Sequence, residues 1–450
     1  MTAQHAALIA LAALLLLPML ACSRGSAAAA PAEARAATDP PRVQVRRLPG
    51  GGYTLLRGGR PYVIRGVGGT RDLELLKRIG GNSVRTWGHE QLDHTVTLRD
   101  GSTHTLPDAL HRMGLTVAAG FWLQHPRHGF DYADADAVRR QLETLRAWVA
   151  RHKHHPAVLC WVVGNEVEIG ADPRDVFPHI EDAARAVKEI DPDRPVMTVI
   201  AEIGGDKARL VQDLCPSVDI IGINSYAGVR TLRERLAAQG VTKPYAVMEW
   251  GAVGHWEVGN TAWGQPIEPT TTQRAEFIAD AGATNVYGQP NSLGGYAFLW
   301  GHKQETTATW YGLFLPTGER TQGIEALARL WDGEPLDNNA PRLEPLALPD
   351  HDPGSLTAGQ PFTVRTSTTD PDGDALEYRW LMKRETTERR QGGDSEPPAD
   401  ILPEQLEEAA GPTARFIAPN EPGEYRVFLY LTDAAGGGAS ANIPVRVRPR

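Results

Sequence analysis

At 450 residues the chain is too long for one ordinary domain, and 41% hydrophobic with 22% charged residues is a globular composition. The net charge of −9 is spread with both signs interspersed and no basic stripe, which excludes electrostatic capture of nucleic acid. Three cysteines are too few for a disulfide scaffold.

The first feature in chain order is an apolar run, Leu8 to Leu20, too short to span a bilayer and ending Met19-Leu20-Ala21-Cys22-Ser23. It resembles a bacterial lipoprotein signal, in which a small residue precedes the cysteine that is lipidated. The resemblance implies a signal over residues 1–22, a membrane anchor at Cys22 and a place in the cell envelope, outer-membrane or periplasm-facing. Residues 23–41, rich in Ala and Pro, then read as a flexible tether. Cys160 and Cys215 lie in or beside apolar runs and read as small buried hydrophobes.

From 42 to 331, short β-branched runs alternate with longer amphipathic segments, the signal for parallel strands joined by crossover helices. Gly51 to Arg65 predicts a hairpin that runs into a first strand at Gly66-Val67-Gly68. Further strands are predicted at Ser83–Trp87, Leu115–Leu123, Ala157–Gly164, Val196–Ile200, Val218–Ile223, Tyr245–Met248 and Tyr296–Leu299. The intervening helices are Leu73–Ile79, Pro107–Met113, Asp134–Arg151, Asp175–Ile190, Lys207–Leu214, Thr231–Ala238 and Thr271–Val286, with Ile324–Leu330 closing the series. Eight such units, with no Gly-rich phosphate fingerprint after the first strand, favour an α/β fold of the (β/α)₈ TIM-barrel type over an open doubly wound sheet.

Gly, Pro and Asn cluster over 332–341, a linker. Beyond it, over 342–450, alternation takes over, as in Leu376-Glu377-Tyr378-Arg379-Trp380 and Tyr425 to Tyr430, and predicts a small all-β sandwich. With Gly423-Glu424-Tyr425 and Leu431-Thr432-Asp433 it resembles immunoglobulin-like domains of the cadherin or polycystic-kidney type. Asp370, Asp372 and Asp374 form an acidic run that reads either as a Ca²⁺ site or as a solvated turn between strands. His152, His154 and His155, at a helix end, read as a surface cluster suited to the helix dipole and not as metal ligands.

In a TIM barrel the chemistry sits where strands end at the C-terminal mouth. The fourth strand runs into Gly164-Asn165-Glu166 and the seventh into Glu249-Trp250-Gly251, so two carboxylates face the mouth from across the barrel. Beside a low-dielectric strand wall, Glu166 has the setting that raises a carboxyl pKa for general-acid work, and Glu249 the place of a nucleophile. Such a pair, about 5–5.5 Å apart, serves retaining glycosidases. Glu168 and Glu202 also follow strands and are weaker candidates for the acid.

These two motifs resemble those of the clan A retaining glycoside hydrolases, with the barrels of family 2 and family 5 closest in layout, over residues 60 to 330. The resemblance implies further roles. Arg85, in Asn82-Ser83-Val84-Arg85, would favour ionised Glu249, and Asn165 would bind the sugar 2-hydroxyl. Tyr226 would orient the nucleophile and Trp300 would floor the sugar subsite. No metal or cofactor is implied, and the substrate is an oligo- or polysaccharide. Two alternatives stay open: a β-glucanosyltransferase on the same site, and a carbohydrate-binding envelope lipoprotein that keeps the barrel without catalysis.

Overall fold

The computed structural model describes residues 40–450; the signal, Cys22 and most of the tether lie outside them. Three antiparallel strands come first, β1 (Val43–Arg47), β2 (Tyr53–Arg57) and β3 (Arg60–Tyr62), turning at Gly58-Gly59 as the hairpin pattern predicts. The chain continues into β4 (Ile64–Gly68), β5 (Ser83–Arg85), an exposed hairpin of β6 (Thr95–Thr97) and β7 (Thr103–Thr105), then β8 (Thr116–Phe121), β9 (Val158–Asn165), β10 (Val196–Ala201), β11 (Ile220–Asn224), β12 (Tyr245–Trp250) and β13 (Ser292–Ala297). Strands β4, β5 and β8 to β13 close into a parallel barrel, β13 pairing back onto β4.

Helices α1 (Leu73–Arg78), α2 (Leu106–Met113), α3 (Ala135–His152), α4 (Pro173–Ile190), α5 (Lys207–Leu214), α6 (Leu232–Ala238), α7 (Thr271–Ala281) and α8 (Gln322–Leu330) follow their strands. The side chains of Asp72, Thr105, Asp134, Asp172 and Thr270 accept from the first-turn amides of α1, α2, α3, α4 and α7, satisfying donors that a helix start otherwise leaves open.

Two apolar layers hold the barrel. Every residue of β9 is buried, as an unbroken apolar strand requires. Inside the barrel, Cys160, Val162, Met197, Val199, Ala246, Met248 and Tyr296 interlock, and Val43, Leu55, Tyr53 and Tyr62 of the N-terminal strands close that layer from one end. Outside, Val84, Val117, Trp161, Phe177, Ile223, Trp250, Ile278 and Leu327 pack strands against helices. Burial pushes the thiols of Cys160 and Cys215 up to about 12, so both are inert apolar fillers.

Two boundaries differ from the predicted ones by more than two residues. β13 begins at Ser292, ahead of the predicted Tyr296. Its Gly294-Gly295 reads locally as a turn, yet both glycines lie in the ladder. Gly294 has φ +100°, and a Cβ there would meet the Ile64 carbonyl oxygen at 2.2 Å. α7 stops at Ala281 and a π-turn over Gly282–Val286 completes the segment.

The remainder is all-β. β14 (Arg342–Leu343), β15 (Leu356–Thr357), β16 (Pro361–Arg365), β17 (Thr368–Thr369), β18 (Leu376–Arg384), β19 (Leu406–Ala410), β20 (Thr413–Ile417), β21 (Gly423–Asp433) and β22 (Gly438–Arg448) form a four-stranded sheet, β15-β22-β21-β18, a three-stranded sheet, β16-β20-β19, and a β14-β17 pair. Phe362, Val364 and Phe416 from one sheet meet Trp380, Met382, Tyr425, Val427 and Val445 from the other in a common core. Among the described residues no group of three or more His, Cys, Asp or Glu converges on a metal-sized site. The acidic run is instead a turn: Asp370 Oδ1 accepts from the amides of Asp372 and Asp374 at 2.9 Å each, and Asp372 accepts from Asn339. Of the two readings of Asp370, Asp372 and Asp374, the turn is the one observed. No described helix is long and apolar enough to cross a membrane.

Alternation along β21 explains how this region docks on the barrel. Tyr425, Val427, Leu429 and Leu431 face their own core, while Phe428 and Tyr430 pack with Leu315 of the barrel. Between them Arg426, 1% exposed, donates to Glu385 at 3.0 Å, to Asn442 Oδ1 at 2.7 Å and to the Pro266 carbonyl at 3.0 Å. Asn442 donates in turn to buried Glu268, which also accepts from Thr307 and Thr309. Removing one member of a buried ion pair strands the other. Arg426→Ala is therefore expected to lower the unfolding free energy by about 3–5 kcal/mol, read by urea denaturation, whereas exposed Arg379→Ala should change it by less than about 0.5 kcal/mol.

Candidate active site

The mouth of the barrel opens into a cavity of about 760 Å³ whose walls include Trp87, Asn165, Glu166, Asn224, Tyr226 and Glu249. Glu249 lies in β12 near its end, 7% exposed. Its Oε1 accepts from Arg85 Nη1 at 3.0 Å and from Trp87 Nε1 at 3.1 Å, and its Oε2 accepts from the Tyr226 hydroxyl at 2.8 Å. Three donors, one of them cationic, fix the direction of the carboxyl group.

Arg85 ends β5 and is almost fully buried. Besides Glu249 it donates to Asn224 Oδ1 at 3.2 Å, to the Met248 carbonyl at 2.8 Å and to Asn165 Oδ1, and it lies over the Trp87 ring at 5.0 Å. Burial lowers its pKa from the ordinary guanidinium value, with Glu249 and Glu166 opposing. Asn165 Oδ1 also accepts from Asn224 Nδ2 at 3.2 Å, so the oxygen is spent on protein and the amide nitrogen is left for the cavity.

Glu166 follows β9. Gly164, with φ +80°, and Glu166 itself, with φ +54°, turn the chain sharply here, and a Cβ on Gly164 would meet Val167 Cγ2 at 2.7 Å. A strained left-handed glutamate at a strand end is held by its neighbours: its amide donates to the Val199 carbonyl at 2.7 Å and its Oε1 accepts from Asn224 Nδ2 at 2.7 Å. Burial, and then the Glu249 charge, push its pKa up to about 8. The two carboxyl groups thus sit in opposite settings: Glu249 ringed by donors, Glu166 desolvated with one amide donor. Such divergence marks an acid/nucleophile pair. Asn224 ties them together, touching Glu166 and Arg85 at once.

The structure gathers Asn165, Glu166, Tyr226 and Glu249 in the wall of one cavity and buries Arg85 against Glu249, but it does not bring Trp300 there. Trp300 is 1% exposed, donates its Nε1 to the Arg71 carbonyl and stands edge-on to Phe314 at 5.2 Å, inside the core shared with α8. Its ring is consumed by packing. Trp250 and Trp310 are buried likewise, whereas Trp87, Trp122 and Trp256 line the cavity. Glu168 is paired with Lys207 at 3.2 Å and Glu202 with Arg235 at 2.6 Å, so both weaker acid candidates are held as ion-pair anchors.

Sequence reasoning missed several wall residues. Asn224 ends an apolar strand at the mouth, a readable signal. Phe298, Lys303 and Glu305 fall in the loop after β13, and Arg389, Arg390 and Asp394 come from the all-β region, for which no local pattern gives notice. Burial pushes the Glu305 carboxyl up, with Lys303 at 2.8 Å opposing.

A closed parallel barrel with two unlike carboxylates at its mouth is the architecture of retaining glycosidase barrels. Residues 63–268 match the family described as Glycosyl hydrolases family 2, TIM barrel domain. The chain is 27% identical over 168 residues to a β-glucuronidase of Paenibacillus borealis, covering 36% of this chain and 26% of the relative. It is 32% identical over 164 residues to a β-glucuronidase of Streptococcus agalactiae, covering 35% and 26% respectively. The chain therefore spans about a quarter of the length of these relatives. A solved β-D-glucuronidase from Dictyoglomus thermophilum aligns at 19% identity and a TM-score of 0.49, covering 66% of this chain and 54% of that one.

The carboxyl pKa of Glu166 is expected near 8 in a ¹³C-carboxylate titration. In Glu249→Gln it should fall, since the second of its two causes is removed, yet stay above the ordinary glutamate value because burial remains.

Proposed function

We propose that this chain is a retaining glycoside hydrolase that cleaves O-glycosidic bonds of a β-linked glycan by double displacement. The observation that carries the reading is the asymmetry of the carboxyl pair, Glu249 held by Arg85, Trp87 and Tyr226 and Glu166 desolvated beside Asn224. In the first step a Glu249 oxygen attacks the anomeric carbon as Glu166 gives its proton to the departing oxygen, and the sugar becomes an ester of Glu249. Esterification removes the Glu249 charge, the second cause of the raised Glu166 pKa, so after giving up its proton the same residue stays ionised and free to take one from the incoming water. Water loses its proton to Glu166, its oxygen bonds to the anomeric carbon, and Glu249 leaves as carboxylate. Asn165 Nδ2 is the donor for the sugar 2-hydroxyl, and Trp87, Trp122 and Trp256 supply the flat apolar faces that sugars stack on.

The named activity of the relatives makes β-D-glucuronide the first glycone to offer. We also propose that Cys22 carries a lipid anchor at the cell envelope and that the all-β region is immunoglobulin-like.

Incubation with activated 2-fluoro-glycosides should add the mass of one sugar at Glu249, an adduct missing from Glu249→Gln. Absence of label and of cleavage across gluco, galacto, manno, glucosamine and glucuronic donors would favour a binding protein. For substrates with poor leaving groups kcat/KM should fall as pH rises through about 8, where Glu166 loses its proton, and Glu166→Gln should abolish their turnover while sparing attack on activated glycosides that depart without an acid. Radiolabelled palmitate fed to expressing bacteria should enter the wild-type chain and not Cys22→Ser.

A further inference from the structure

The cavity is not built by the barrel alone. A strap running from Thr386 to Glu396, between β18 and β19 of the all-β region, reaches the mouth and supplies Arg389, Arg390, Gly392, Gly393 and Asp394 to its wall. It is fastened at both sides. Toward the loop after β8, Asp394 accepts from Arg127 at 3.2 Å and meets His128 Nε2 at 2.9 Å. His128 stacks on His125 at 5.3 Å, and His125 on cavity-lining Trp122 at 4.5 Å and 15°. Toward the loop after β13, Lys303 donates to the Gly393 carbonyl, Thr386 donates to the Thr306 carbonyl at 2.9 Å, and the Thr306 amide donates to Glu396 at 2.6 Å. The strap is thus a fixed wall spanning two loops of the barrel mouth.

Its charge is specific. Glu249 lies at the floor, 7% exposed, so the sugar that bonds to it fills the bottom of the cavity and the leaving group extends outward to the rim. There Arg390 holds its backbone in place through Glu396 Oε1, at 3.0 Å, while its side chain stays 52% exposed. Among the described residues its guanidinium has one counter-charge, Glu388, at 3.7 Å. Lys303 is spent on Glu305 and Gly393, and Arg389 is tied to Gln265. A guanidinium presented this way matches a planar or tetrahedral oxyanion.

We propose that Arg390, carried by the strap of the all-β region, selects substrates whose leaving-group sugar bears a carboxylate or sulfate, with Trp122 as the adjoining stacking face. This rests on the glycosidase reading of the same cavity and makes the all-β region part of the substrate site. The strap lies outside residues 63–268, the span that matches the family.

The test holds the glycone constant, using whichever sugar labels Glu249, and varies only the leaving group. A hexuronic acid is compared with its methyl ester, and a 6-sulfated hexose with the plain hexose, by kcat/KM from released sugar. Wild type should prefer the anionic member of at least one pair, the carboxylate and sulfate arms showing which oxyanion is read. The anionic-to-neutral ratio should fall roughly fivefold in Arg390→Ala, further in Arg390→Glu, and partly recover in Arg390→Lys. It should also shrink as salt rises. A ratio at or below one in wild type, or one unmoved by Arg390→Ala and Arg390→Glu, overturns the proposal while leaving the glycosidase reading intact. Failure of the wild type to turn over any aryl glycoside overturns both.

Discussion

One buried guanidinium organises the mouth of this barrel. Arg85 reaches from the end of β5 to Glu249, Asn165, Asn224 and the Met248 carbonyl, joining strands two, four, six and seven of the barrel in one hydrogen-bonded set. A cation so deeply desolvated depends on the acceptors gathered around it, and although Nε has no partner, the two terminal nitrogens set where those acceptors stand. Glu249 is oriented, the Asn165 amide is pinned by its oxygen, and Asn224 is left with its nitrogen toward Glu166. The contrast between the two carboxyl groups follows from this arrangement together with the burial of Glu166.

The second constraint is the docking of the all-β region. β21 is buried on both faces because its alternate residues serve two cores, its own and one shared with the barrel. Arg426, Glu385, Asn442 and Glu268 bring hydrogen-bonded charge into that contact, so its register is specified by directional bonds as well as by area. The strap leaves the sheet just past Glu385, and the anchoring that holds β21 on the barrel is what brings Arg390 and Asp394 to the cavity. Stability of the interface and shape of the site are consequences of the same packing.

Several elements were readable in advance because their patterns are local. The β9 sequence is apolar without interruption, and only a strand covered on both faces tolerates that; the glutamate directly after it had to emerge at the mouth. The same logic places Glu249 at the mouth, whereas Arg85 beside it comes from the resemblance carried by Asn82-Ser83-Val84-Arg85. β13 starts ahead of its predicted Tyr296, and the close approaches that require its glycines, of the Ile64 backbone to Gly294 and of the Val247 carbonyl to Gly295, exist only in the closed barrel. The resemblance makes Trp300 a platform, but which way a large ring turns depends on the space left by Phe314 and the Arg71 backbone.

By itself, the sequence determined the alternation that builds the barrel, the change of period that ends it, and the two carboxylates with their immediate neighbours, since each is a property of a few consecutive residues. Tertiary structure alone decided which aromatic rings face the cavity, that Asp370 caps a turn, that Glu168 and Glu202 are bound by lysine and arginine, and that a segment beyond residue 385 walls the site. Those outcomes depend on contacts between residues tens to hundreds of positions apart, and side-chain direction, desolvation and charge pairing have no value until such contacts exist.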